Sequence, residues 1–263
     1  MSCISSTSRL KLATRRDVER RLWDIIELYK GIFGEAFFLG ERVYEPTELT
    51  LTQEYVESDK LALVLKSALL EGYTAPIIVV MNRSGNRYVV DGHHRTIVSA
   101  WLRRKIAGYV ILVPNYTPRI SRSLLEVDTI NPPDTPLQLS CWRHAVNVIR
   151  FLEKQHGTVA RTWLEKLPVK ALKPTEPPLG LFLPGPMQHD CPILVYAMGS
   201  EYYVVDGHHR VCSALAARVE KMPALVFTLE NREIGLIKTA RKLGYACFDS
   251  DYCSGMQDAF RVL

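Results

Sequence analysis

The sequence lacks any apolar run approaching about 18 residues, the length a bilayer-spanning helix requires, so no membrane partner is expected. It also lacks an uninterrupted apolar stretch of signal-peptide type in its opening residues, MSCISSTSRLKLATRR, which predicts a cytoplasmic chain. Cys-x-x-Cys is absent. The six cysteines stand at 3, 141, 191, 212, 247 and 253, spacings that fit neither a zinc site nor a compact disulfide framework. They read as reduced, mostly buried thiols, with a Cys247–Cys253 pair as the alternative. Charge of one sign is not in excess: 33 Lys and Arg against 28 Asp and Glu leave +5. That balance permits a polyanionic partner, a nucleotide or a nucleic acid, without requiring one. At 47% hydrophobic and 23% charged over 263 residues, the composition excludes a disordered or fibrous chain and suits two compact units.

What the sequence does hold is a repeat. The octapeptide YVVDGHHR occurs at 88–95 and again at 203–210. Pro76-Ile77-Ile78-Val79-Val80 precedes the first copy and Pro192-Ile193-Leu194-Val195-Tyr196 the second. After each come an Ala-containing helix and an apolar strand, YVILV at 109–113 and PALVF at 223–227. The expected fold is mixed α/β (α+β): two repeats, each a small mixed sheet with flanking helices, joined by a helical segment. The expected divisions are an N-terminal helical segment 1–40, repeats at 41–115 and 166–230, a helical linker 116–165 and a helical tail 231–263.

Local signals place the elements. Thr14 with Asp17 forms a capping box ahead of a helix at about 15–30, with Val18, Leu22, Ile25 and Tyr29 on its apolar face. A second helix runs over 56–70, N-capped by Ser58 and stopped by Gly72. Strands at 77–81 and 88–90 form a hairpin, and a helix at about 94–106 ends in Arg103-Arg104-Lys105. Seven prolines between 168 and 192 forbid a counterpart of the 56–70 helix in the second repeat. Trp142 to Leu152, Gly157 and an expected helix over 158–167 outline a helix-turn-helix, so DNA binding through 141–167 is the competing functional class. A last helix spans 234–243.

The DGHHR turn carries the chemistry. A strand that ends in Asp-Gly and opens into a helix presents backbone N–H groups to an anion, and Gly92 and Gly207 let it approach closely. His93, His94 and Arg95, and equally His208, His209 and Arg210, are cationic candidates at a helix end that disfavours cations; a bound phosphate removes that conflict. Asp91 and Asp206 are candidates for Mg²⁺ or for proton transfer. Two other readings stand beside this one. The aspartate is an N-cap and the basic residues are surface donors, or Asp-x-His-His is part of a transition-metal site.

These residues resemble the ParB/sulfiredoxin-like superfamily over about 43–113 and, more loosely, 166–229. The superfamily includes CTP-hydrolysing chromosome-partitioning proteins, ATP-using sulfiredoxins and free-serine kinases. His93 and His208 stand where sulfiredoxins carry cysteine, and the Glu-Arg-Arg box of partitioning proteins is missing, so the free-serine kinases are nearest in motif. The resemblance implies a nucleotide (ATP, ADP or CTP) with Mg²⁺ at the turns and Glu54, with Glu176 in the second copy, as the base on a small hydroxyl acceptor. A ParB-like DNA-binding protein or regulator with a nucleotide switch is the alternative it implies.

Overall fold

A computed structural model describes residues 10–177, 191–230, 232–249 and 252–253. The chain divides into two compact units, Met1–Val159 and Ala160–Leu263. The first runs α1 (Arg15–Phe33), β1 (Phe37–Tyr44), β2 (Thr50–Leu51), β3 (Tyr55–Glu57), α2 (Ser58–Leu70), β4 (Ile77–Met81), β5 (Arg87–Asp91), α3 (His93–Trp101), β6 (Ile106–Leu112), β7 (Asp128–Ile130) and α4 (Ser140–His156). Its main sheet has the order β1-β6-β4-β5-β2, and β3 pairs with β7 apart from it. The second runs β8 (Arg161–Pro168), β9 (Leu172–Lys173), β10 (Ile193–Met198), β11 (Glu201–Asp206), α5 (His208–Ala216), β12 (Lys221–Thr228) and α6 (Gly235–Lys242), with sheet order β8-β12-β10-β11-β9. The two five-stranded sheets match strand for strand: each alternates antiparallel, parallel, antiparallel and parallel pairings from the first edge to the last. The fold is mixed α/β, built from two similar sheet–helix units.

Helix α1 starts where the sequence places it. The Thr14 Oγ1 accepts from Asp17 N–H, and the Asp17 carboxylate accepts from Thr14 N–H. Its Val18, Leu22 and Ile26 bury against Ile78, Val80 and Ile111 on one face of the first sheet. Because strand side chains alternate, Ile77 and Val79 face the other side, where α3 lies and packs on α2. The N-cap of α2 is Glu57, not Ser58; Ser58 is the first helical residue and donates to Asn131 Oδ1. Pairing of β3 with β7 fixes Val56 and Glu57 as strand, which pushes the helix start one residue on. Helix α3 stops at Trp101 rather than near 106, since Arg103 takes φ 51° and the chain must enter β6.

Several expectations fail outright. Helix α4 ends at left-handed Gly157, but 158–167 is not a helix. Residues 161–168 form β8, paired along their whole length with β12, and that long antiparallel ladder overrides the helical spacing of Trp163, Leu164 and Leu167. The helix-turn-helix is therefore not formed. Within 116–165, α4 packs on α2, and buried Glu153 accepts from Trp101 Nε1 and from Arg150 Nη1, tying the helix into the first unit, which ends at Val159. Cys212 and Cys253 form a disulfide, with α5 and the C-terminal segment bringing their Cα atoms to 5.6 Å. This overturns both the all-reduced reading and the Cys247–Cys253 pair; Cys247 is an exposed free thiol. Within the proline-rich stretch, 178–190 lie outside the described residues, and 168–177 contain no α-helix. No helix among the described residues is long and apolar enough to cross a membrane.

Candidate functional site

Both DGHHR turns are built alike. Asp91 and Asp206 end their strands, and Gly92 and Gly207 follow at φ 100° and 103° as left-handed N-caps of α3 and α5. Only glycine fits. A Cβ on Gly92 would stand 2.4 Å from Ile77 Cγ2, and one on Gly207 2.6 Å from Ile193 Cγ2. Neither aspartate caps the helix that follows. Asp91 Oδ2 instead accepts from Arg95 Nη2 at 2.8 Å, and Asp206 Oδ2 from Arg210 Nη2 at the same distance. Arg21 of α1 adds a second contact in the first unit, its Nη1 lying 3.1 Å from Asp91 Oδ1.

The first histidine of each turn is a strut. His93 Nε2 accepts the Thr52 N–H at 3.3 Å, and His208 Nε2 accepts the Thr175 N–H at 3.1 Å. Each threonine hydroxyl donates onward, to Val89 O or Val204 O, so the histidine fastens the short parallel strand to the motif strand. Burial pushes both imidazoles down to about 4, so they are neutral near pH 7. His94 Nε2 accepts the Glu57 N–H at 3.1 Å, and burial pushes its ring down to about 3. With an accepting Nε2, the neutral rings of His93, His94 and His208 carry their proton on Nδ1. The expected conflict between cationic histidines and the helix dipole is absent, and none of these three supplies positive charge.

The positive charge comes from elsewhere. A cleft of about 240 Å³ opens at the first turn, with Asp91, Gly92, His93, His94 and Arg95 on one side and Lys11, Arg21, Gln53 and Lys60 around it. Four cationic side chains surround one carboxylate, at the uncapped N-terminus of a nine-residue helix. The sequence reading missed Lys11, Arg21, Lys60 and Gln53. No motif marks them, because α1, α2, the residues before α1 and those after β2 meet the turn only through the packing of the sheet.

Glu54 does not line the cleft. It is half-buried, and its side chain bonds to Tyr55 instead. Sheet register shows why the two glutamates are not equivalent: Thr50 pairs with Tyr88 and Lys173 with Tyr203, so Glu176 matches Gln53, one residue before Glu54. Glu176 is half exposed, and its Oε2 lies 3.3 Å from His208 Nδ1. The residues also do not fit a resident Mg²⁺. Both oxygens of Asp91 are engaged by guanidinium groups, Asp206 is held by Arg210, and no cluster of three or more possible metal-ligating side chains occurs among the described residues. The Asp-x-His-His residues likewise join no such cluster among the described residues.

The second turn is flanked differently. Phe248 lies tilted against the His208 ring at 5.8 Å, Tyr252 OH donates to Glu176 O, and Cys253 is bonded to Cys212 of α5. Arg210 spends Nη1 on the carbonyls of Cys191 and Pro192. His209 lies half-buried in the first turn of α5. No family model, curated protein or solved structure matches the chain.

Proposed function

We propose that the first unit binds the polyphosphate of a nucleotide in the cleft beside Asp91-Gly92-His93-His94-Arg95, and passes a phosphoryl group to a small hydroxyl compound. The observation that carries the reading is the gathering of Lys11, Arg21, Lys60 and Arg95 around one carboxylate and the open first turn of α3. Uncapped first-turn amides and several cations are what a polyphosphate needs. Phosphoryl transfer asks of the protein mainly positioning and charge stabilisation, which suits a cleft rich in donors and without Glu54. Any magnesium enters with the nucleotide, held by phosphate oxygens and water. The ParB/sulfiredoxin-like resemblance of the turn supports the same reading, with ATP, ADP and CTP as the nucleotides to try.

Thermal-shift titration of the full chain with each nucleotide and with pyrophosphate, in Mg²⁺, tests it. A ligand that binds only the folded state raises the melting point in proportion to ln(1 + [L]/Kd). Lys60→Ala is expected to weaken the active ligand by about tenfold or more, the scale of one lost charged contact. No shift with any of the four, or shifts that Lys60→Ala leaves untouched, overturns the reading.

A further inference from the structure

A second cavity, of about 140 Å³, adjoins the cleft, with Val64, Tyr73 and Arg95 lining both. Its wall carries Arg15, Arg95, Arg104 and Lys105 and no carboxylate, around apolar Val98 and Leu102. Acidic partners outside the cavity meet part of this charge: Arg15 reaches Glu19 and Glu41, and Lys105 reaches Glu45. Arg104 has no such carboxylate among the described residues; its Nη1 makes a long bond of 3.4 Å to Ala68 O at the end of α2. Arg95 Nε is buried and has no hydrogen-bond acceptor among the described residues.

Helix-end cations have an ordinary role, favouring the carbonyl end of α3. The second unit shows that the fold does not require them. Arg103 and Arg218 occupy the same turn after α3 and α5, at φ 51° and 55°. The residues that follow are Arg104-Lys105 in the first unit and Val219-Glu220 in the second. One backbone turn thus forms with and without the charges, and only the first unit points them at a cavity. Arg15 belongs to α1, which precedes the repeated architecture.

We propose that this cavity is a second anion site, taking a small ligand whose carboxylate or phosphate group sits against Arg104, Lys105 and Arg15. Arg95 stands between this ligand and whatever occupies the cleft. The site is lined separately from the cleft by its own cations, so it stands whether or not the cleft binds a nucleotide.

Calorimetric titration of the full chain with inorganic phosphate, and in parallel with glycolate, tests the proposal. The double variant Arg104→Val, Lys105→Glu installs the second unit's residues on a turn that already tolerates them, and its melting point checks folding. The expected result is a binding event weakened by about tenfold or more in the double variant and retained in Lys60→Ala. Response to one probe and not the other identifies the group as phosphate or carboxylate. Binding that the double variant leaves unchanged, binding lost only in Lys60→Ala, or no binding of either probe overturns the proposal. Failure of the nucleotide reading shows separately, in the response of Lys60→Ala to pyrophosphate.

Discussion

Arg95 and Arg210 occupy the same place in the same turn, each bonded at 2.8 Å to the aspartate four residues before it. Arg210 also holds two backbone carbonyls, in a turn flanked by Phe248 and by Tyr252, next to a disulfide-bonded cysteine. Arg95 lines two cavities and shares its aspartate with Arg21. What α2 does for α3 in the first unit, Phe248, Tyr252 and Cys253 do for α5 in the second. The eight identical residues therefore need no common ligand to explain them. Glycine is the residue that fits beside Ile77 or Ile193, the first histidine locks a parallel strand, and the Asp–Arg pair closes the turn. Function has to be sought in what surrounds the turn, and there the units diverge.

The largest expected effect tests the flank of the second turn. Cys212→Ser opens a link between residues 41 apart, and the chain-entropy estimate for such a loop is roughly 4 kcal/mol. Denaturant unfolding followed by tryptophan and far-ultraviolet signals should show the second unit melting earlier than the first. Loss of both together would mean that the units do not differ in what holds them.

Next comes the pair Arg95→Ala and Arg210→Ala. Loss of Arg95 is expected to weaken nucleotide binding by about 1.5–3 kcal/mol, ten- to over a hundredfold, whereas loss of Arg210 should cost stability and leave binding intact. Equal losses of binding in direct titrations would make the turns functionally equal and break the contrast.

The smallest effect is common to both units. Burial lowers the folded-state values of His93 and His208 to about 4, below the ordinary value near 6.5. As pH falls the unfolded chain takes the proton first, so each ring subtracts stability from about pH 6.5 down to about 4, on the order of 1–2 kcal/mol at pH 5. His93→Gln and His208→Gln, which keep an acceptor for the threonine N–H, should each flatten this acid limb when unfolding is measured between pH 7 and 4.5. An acid limb unchanged in both variants would show that these rings are not held neutral.

Much of the architecture was legible because it is local. Thr14 and Asp17 sit three apart, Gly72 ends a helix, and the apolar runs at 77–81 and 193–198 flank turn residues. The strand over 161–168 was not legible: Trp163, Leu164 and Leu167 suit either a helix or an edge strand, and the choice belongs to β12, more than fifty residues further on. Glu54 was misjudged for a related reason, since register across the sheet, not distance along the chain, sets which residue reaches the cleft.

By itself the sequence determined the duplication, the strand–turn–helix at each DGHHR and the need for glycine there, because identical short-range sterics act on identical residues. Only the tertiary structure decided the charge of the site. Burial neutralises the histidines that look cationic on paper, while Lys11, Arg21 and Lys60, distant in the chain and unmarked by any motif, are carried to the cleft by α1, the residues just before it, and α2. Solvation and long-range packing set those properties, and neither is written in any one stretch of residues.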